Sequence, residues 1–357
     1  MTTVASVKRT SEAVSVAAST ASTLGFDILA TALAIWMVSG LYLDGWAHTH
    51  GKVDQSVVTP WHGVLYSGFL ALAGLYAITY LRNRSTGRPA RHAMPAGYGL
   101  SLVGTLLFLA GGVGDTTWHI LLGIEIGVDA LYSPTHLVLA VGGILMITGP
   151  VRGAWQRAAD ASSWRTQWPV VVALTGMFCV FTFFLQVMHP LSQRAATGTA
   201  PADPRLFFSL QSMGIAGVVI TSMLLVGLIL VAVRNQQMPF GSFAFAFGVN
   251  AWAMSFLSIG FPVGLIPAAA AAGLVADVLL KRFDRLVPAA GPITSPIVGF
   301  VVPAVYFLLY FLVLQAGPGI WWTVHLWMGA PVIAGIAGWM VAYAMSSTGP
   351  LPSESTV

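Results

Sequence analysis

The sequence has little charge and almost no cysteine. Only 8% of its 357 residues are Asp, Glu, Lys or Arg, whereas ordinary soluble domains carry about 25%. Hydrophobic residues make up 56% of the chain, and the mean hydropathy is +0.80. This composition excludes a soluble globular domain. The single cysteine, Cys179, lies within an apolar run, so neither a disulfide framework nor a cysteine-based metal site is expected.

Long apolar runs fill most of the chain and predict an all-α, polytopic membrane protein. We expect about ten transmembrane helices, because each run is long enough to cross a hydrocarbon core of about 30 Å. The runs cover residues 24–43, 60–81, 96–114, 133–150, 168–188, 207–233, 240–259, 262–280, 297–316 and 320–345. The first run is too long for the core of a cleaved signal peptide and is expected to be a retained span.

The same pattern predicts four parts of the chain. Residues 1–23 are rich in Ser, Thr and Ala and are expected to form a mobile polar tail. Residues 24–150 form a four-helix part that contains two repeated helical hairpins, and residues 151–346 form a six-helix part. Residues 347–357 are a C-terminal tail.

The positions of the basic residues predict the orientation in the cell membrane. Cytoplasmic loops of membrane proteins carry an excess of Lys and Arg. With the N-terminus inside, thirteen of the sixteen basic residues fall in inner segments, and the outer ones are Lys52, Arg194 and Arg205. Both termini are therefore expected in the cytoplasm. Because the basic residues are spread over short loops, the lipid bilayer is the expected partner and nucleic acid is not.

Two stretches near the outer ends of helices repeat one arrangement of acid and histidine. In each, an Asp is followed four residues later by a His, and a second His follows a Pro at the start of the next apolar run. The two candidate sets are Asp44, His48 and His62 (the first triad) and Asp115, His119 and His136 (the second triad). Further candidates to complete or surround such a site are Glu125, Asp129, His50, His189 and His325.

The spacing within each triad is typical of a metal site. Residues four apart lie on one face of a helix, so each Asp and its first His reach a common point. A short connection makes the next helix an antiparallel neighbour, which returns the second His to the same depth. The dipeptides Thr59-Pro60 and Ser133-Pro134 are expected to cap the helices that carry these histidines. Two nitrogens and one carboxylate suit copper, zinc or iron, with a position left open.

Single polar residues at helix ends often only cap a helix or face interfacial water. The duplication of the whole pattern favours metal binding over that interpretation, because internal repeats are a common way to build membrane proteins.

The second stretch has the order Asp-x-x-Trp-His, then a loop with a further Asp, then Ser-Pro-x-His. This order resembles the C subunit of copper membrane monooxygenases, the particulate methane and ammonia monooxygenases. The resemblance covers roughly residues 40–140, with Asp129 at the position of the loop acid and Pro134 at the turn. It extends to all six triad residues, except that Asp115 stands where the family has Asn.

The resemblance implies a copper site that faces the outer half of the membrane. It also implies oxidation of a small apolar substrate with dioxygen, in a complex with partner subunits. From the residues alone, iron and zinc stay open as alternatives to copper, and a homo-oligomer stays open as an alternative to a complex. The catalytic residues stay unassigned.

Two other functions stay open. The first is a metal transporter or metal-handling protein, which should carry polar groups through the depth of the membrane. Candidates in the inner half of the membrane are few: Asp27, Asn250 and Gln315 are scattered along the chain, and Gln315 is itself near an outer helix end. The second is a haem-binding redox or sensor protein that uses two of the histidines.

Overall fold

The computed structural model describes residues 20–52, 59–123, 125, 127–157, 163–234, 237–286 and 295–346. Within these ranges every regular element is a helix, which confirms the all-α prediction. Ten long helices are α1 (Leu24–Thr49), α2 (Pro60–Ser85), α3 (Gly99–Leu122), α4 (Pro134–Ile147), α5 (Trp164–Phe184), α6 (Pro204–Val233), α7 (Ser242–Ser255), α8 (Leu265–Leu286), α9 (Ser295–Ala316) and α10 (Val324–Ser346). Residues 1–19 of the predicted N-terminal tail and the predicted C-terminal tail at 347–357 lie outside the described ranges.

Eight of the described helices are long and apolar enough to cross a membrane: α1, α2, α3, α4 with its continuation to Ala154, α5, α6, α9 and α10. The prediction of a multi-pass membrane protein is thereby borne out. Helix α7 has 14 residues, which is about 21 Å at 1.5 Å per residue. Between it and α8 the chain turns at Gly260, whose φ of 67° lies in the left-handed region.

Helices α1 and α3 continue beyond the apolar runs that predicted them. Helix α1 extends to Thr49 and α3 to Leu122. Each Asp and the first His of its triad therefore lie in continuous helix, as the metal-site hypothesis requires.

Glycines allow the two helices of each hairpin to touch. In the first hairpin, a Cβ added at Gly40 would lie 2.5 Å from the Cα of Leu65. In the second, a Cβ added at Gly104 would lie 2.7 Å from the carbonyl oxygen of Gly142. Such close backbone approach is typical of helix packing in lipid, where small residues replace the hydrophobic driving force. The two hairpins are thus built alike.

By packing, the chain divides into two compact units between Val180 and Phe181. Both triads belong to the first unit. At the other end of α1 from its triad residues, the buried carboxylate of Asp27 accepts hydrogen bonds from the Tyr98 hydroxyl and from the guanidinium of Arg157. Arg157 also bonds to Ser22, so this ion pair fixes the start of α1 against the chain that follows α4.

In the second unit, Asp277 of α8 joins the N-terminus of α7. Its carboxylate accepts hydrogen bonds from the backbone N–H groups of Phe243 and Ala244, at 3.3 and 3.0 Å. Asp277 and Lys281 are four residues apart on one helix, a spacing that also permits an ion pair between them. In the structure the Lys281 ammonium lies 4.9 Å from the ring centre of Phe240. The free N–H groups of a helix N-terminus attract a carboxylate, and this arrangement satisfies them.

Candidate metal centre

The second triad converges at one end of the α3–α4 hairpin. Nε2 of His119 lies 3.3 Å from Oδ2 of Asp115, and Nδ1 of His136 lies 3.6 Å from Oδ1 of the same carboxylate. One ligand atom from each of the three residues lies within 4.8 Å of the other two. Ligands bound at about 2.0–2.2 Å around a tetrahedral ion are roughly 3.3–3.6 Å apart. The triad is therefore close to the spacing that a first-row metal ion requires.

The cap of α4 positions His136. Ser133 is the N-cap residue, and its hydroxyl accepts a hydrogen bond from the backbone N–H of His136, with Pro134 in the first turn. The same hydroxyl lies 2.6 Å from Nδ1 of the His136 ring. The predicted cap is confirmed, and the cap residue also holds the imidazole ring.

Two further contacts orient the other members of the second triad. The hydroxyl of Thr135 donates a hydrogen bond of 2.8 Å to Oδ1 of Asp115. Nδ1 of His119 lies 3.3 Å from the carbonyl oxygen of Gly123, which leaves Nε2 facing the carboxylate. Metal-binding histidines commonly bond a carbonyl or carboxylate through the second ring nitrogen. Thr135 was missed by the sequence reasoning, because no local pattern links it to an acid in the preceding helix.

The first triad repeats this plan in a looser form. Nε2 of His62 lies 3.5 Å from Oδ1 of Asp44, and Nε2 of His48 lies 3.8 Å from Oδ2. Thr59 caps α2, accepts from the backbone N–H of His62 and lies 2.9 Å from Nδ1 of its ring. The cap predicted there is also confirmed. Oδ1 of Asp44 is buried and has no hydrogen-bond partner among the described residues.

The first triad is also more open to its surroundings. The His48 side chain is 37% exposed, compared with 12% for His119. The clustering found for the second triad, with all ligand atoms within 4.8 Å, does not extend to Asp44, His48 and His62 among the described residues. The second triad is accordingly the better formed of the two.

The two triads are near enough to interact electrostatically. The charges of Asp44 and Asp115 both act on the His62 ring. Tyr66, one turn further along α2, stacks on His62 with ring centres 5.6 Å apart. The charges of Asp44 and Asp115 act on the Tyr66 hydroxyl as well. An ion bound at one triad would therefore change the electrostatic potential at the other.

The remaining candidates in the first unit have different surroundings. Oε2 of Glu125 lies 3.2 Å from Nδ1 of His136, so the structure brings this acid to the second triad. Asp129 is exposed at the start of a short helix, Asp129–Tyr132. His50 follows α1, where Nδ1 lies 2.9 Å from the carbonyl oxygen of Trp46 and the two rings stack. His50 thus caps the end of α1.

His189 and His325 belong to the second unit. His189 is 1% exposed and caps the short helix Pro190–Gln193, with Nδ1 accepting from the N–H of Leu191. Burial lowers the pKa of His189 to about 3, so the ring is neutral and its proton is on Nε2. His325 is exposed at the start of α10.

Comparison of the chain with known protein families, with curated proteins and with solved structures finds no match.

Proposed function

We propose that the chain is a membrane protein that binds a transition-metal ion at Asp115, His119 and His136. The observation that carries this proposal is the convergence of their ligand atoms within 4.8 Å at the end of one glycine-packed hairpin. Two imidazole nitrogens and one carboxylate are suitable ligands for copper, iron or zinc. Copper is the metal proposed, on the resemblance to the C subunit of copper membrane monooxygenases. The first triad is proposed as a second, weaker site.

The proposed topology has ten membrane-crossing helices with both termini in the cytoplasm of a cell-membrane protein. The excess of basic residues in the inner loops supports it. Both triads then lie at the extracytoplasmic side, since each stands at an outer helix end.

The proposed activity is oxidation of a small apolar substrate by dioxygen. When bound, copper would supply the redox chemistry with dioxygen. The protein's own contribution would be to hold the ion through the three side chains, and to keep Asp115 and His119 oriented through Thr135 and the Gly123 carbonyl. The apolar helices around the site are suited to a hydrocarbon-like substrate. Partner subunits are part of the proposal because the resemblance implies them, and a homo-oligomer is the alternative.

The first unit supports a transport function less well than it supports the proposed metal site. Among the described residues of that unit, Asp27 is the acid at the opposite helix end, and its carboxylate accepts hydrogen bonds from Arg157 and Tyr98. A transport path would need polar groups that are free to bind the passing ion.

Electron paramagnetic resonance of the copper-loaded protein tests the proposed site. Coupling to two imidazole nitrogens is expected in the wild type. His119→Ala and His136→Ala should each lose one nitrogen from that coupling. A spectrum that is the same in all three proteins contradicts the site. Oxygen uptake with a short-chain hydrocarbon tests the activity separately, and copper-loaded protein without substrate-dependent uptake contradicts that part of the proposal.

A further inference from the structure

The helix ends opposite the two triads are tied together at one level. The segment 93–97, just before α3, contacts the ends of the three other helices. The backbone N–H of Ala96 donates to the carbonyl oxygen of Thr20, just before α1, at 2.9 Å. Two carbonyl oxygens of the segment accept hydrogen bonds from side chains, at 2.7 Å from the amide of Asn83 in α2 and at 2.9 Å from the guanidinium of Arg152 in the continuation of α4. Heights along all four helices can therefore be compared from this level.

The first triad stands farther from this level than the second. Asp44 is 20 residues after the start of α1 and Asp115 is 16 residues after the start of α3, which gives about 30 and 24 Å at 1.5 Å per residue. The histidines of the returning helices repeat the difference. His62 and His136 lie about 32 and 24 Å from the contacts that α2 and α4 make with the segment 93–97. Tilt of the helices shortens these heights and keeps their order.

The surface of α3 is apolar over the thickness of a bilayer. Exposed aliphatic side chains recur from Leu100, 51% exposed, to Leu122, 67% exposed. These two residues are about 33 Å apart along the helix, and a hydrocarbon core is about 30 Å thick. Thr116 and Thr117 are exposed on the same helix, and their hydroxyls donate to carbonyl oxygens of α3 at 3.0 and 2.9 Å. Bonds of this kind satisfy the hydroxyls without water, so the surface beside the second triad is suited to lipid.

We infer that the second triad lies inside the hydrocarbon layer, about 6–8 Å deeper than the first triad, which lies at the boundary of that layer. The depth itself requires no ion, and its consequence for ligands rests on the proposed function. Charged and strongly polar molecules are excluded from hydrocarbon. An ion at the second triad therefore meets uncharged molecules dissolved in the bilayer, whereas an ion at the first triad exchanges ligands with water.

Nitroxide labels measure the depth in phosphatidylcholine vesicles that contain only this chain. Thr116→Cys places an exposed label beside Asp115, and Gly63→Cys places one beside His62, where an added Cβ meets nothing within 4 Å. Both belong in a Cys179→Ala background. A water-soluble nickel chelate should reach the label at 63 about three- to tenfold more readily than the label at 116. Dissolved oxygen, which concentrates in hydrocarbon, should show the opposite order.

Two reference labels calibrate these values. Leu106→Cys labels an exposed position in the middle of α3, and Thr86→Cys labels the exposed turn after α2. The label at 116 should resemble the label at 106, and the label at 63 should lie between 106 and 86. Equal access of the chelate to 116 and 63 overturns the inference. A label at 116 that neither reagent reaches is covered by protein, such as a second copy of the chain, and that result overturns it as well.

Spin-labelled lipids locate the bound ion and separate this inference from the metal site. The double variant His48→Ala/His62→Ala keeps the second triad, and His119→Ala/His136→Ala keeps the first. Copper(II) in the former should relax a label high on the acyl chain more than a headgroup label, and copper(II) in the latter should do the reverse. Absence of bound copper from the wild type contradicts the proposed function and leaves the label depths valid. Copper at the second triad that relaxes the headgroup label more strongly contradicts only the immersion of that triad.

Discussion

The hydroxyl of Thr135 donates a hydrogen bond of 2.8 Å to Oδ1 of Asp115 and so links α4 to α3 at the level of the second triad. Because this bond orients the only carboxylate of that triad, Thr135→Val should weaken metal binding about tenfold. Competition with a chelator of known affinity measures the effect. Thr116→Val is the control, since the Thr116 hydroxyl donates a hydrogen bond to the Gly112 carbonyl of its own helix. Equal affinities for the two variants would show that Thr135 does not position the ligand.

The buried ion pair of Asp27 and Arg157 should stabilise the first unit without affecting metal binding. Removal of one partner from a buried pair costs about 3–5 kcal/mol, and the 28% exposure of Arg157 places the expected loss for Asp27→Ala near 3 kcal/mol. Tyr98→Phe removes only one hydrogen bond to Asp27 and should cost about 1 kcal/mol. Reversible unfolding in mixed detergents measures both values. A smaller loss for Asp27→Ala than for Tyr98→Phe would contradict this ranking.

The glycine contact between α3 and α4 can be tested with two alanine substitutions on the same helix, one at the contact and one away from it. A methyl group at position 104 would lie 2.7 Å from the Gly142 carbonyl, whereas a methyl at position 112 of the same helix meets nothing within 4 Å. Gly104→Ala should therefore reduce the free energy of unfolding by about 1–3 kcal/mol. Gly112→Ala should leave it unchanged or raise it slightly. If the two variants unfold alike, the hairpin is not held by this contact.

The orientation predicted from the basic residues can be tested in whole cells with a membrane-impermeant maleimide. Val128→Cys places a thiol in the exposed loop next to the second triad, and Thr86→Cys places one in the exposed turn after α2. Both belong in a Cys179→Ala background, although native Cys179 is buried. Label should reach position 128 and not position 86. The reverse pattern would place the candidate site in the cytoplasm.

Local sequence rules predict much of the candidate site. Ser133-Pro134 and Thr59-Pro60 determine where two helices begin, because an N-cap side chain followed by Pro acts within one turn. The four-residue spacing of Asp115 and His119 places both side chains on one face of α3, because an α-helix has 3.6 residues per turn. These features depend only on neighbours in the sequence.

The parts that the sequence leaves open depend on tertiary contacts. Thr135 is 20 residues from Asp115, and the α7 amides are more than 30 residues from Asp277. No periodicity distinguishes such partners from other polar residues at helix ends. The spacing of Asp277 and Lys281 permits an ion pair on one helix face, but the N–H groups of a neighbouring helix compete for the acid. The shorter distances and lower exposure of the second triad likewise follow from packing, since the sequence patterns of the two triads are nearly the same.

The metal content of the purified protein tests the central claim most directly. Elemental analysis of the wild type should find roughly one or two copper ions per chain, depending on whether both triads fill. Asp115→Ala, His119→Ala and His136→Ala should each lose about one ion, and the exposed His325→Ala should lose none. Negligible metal in the wild type, or the same metal content in every triad variant, would contradict the account.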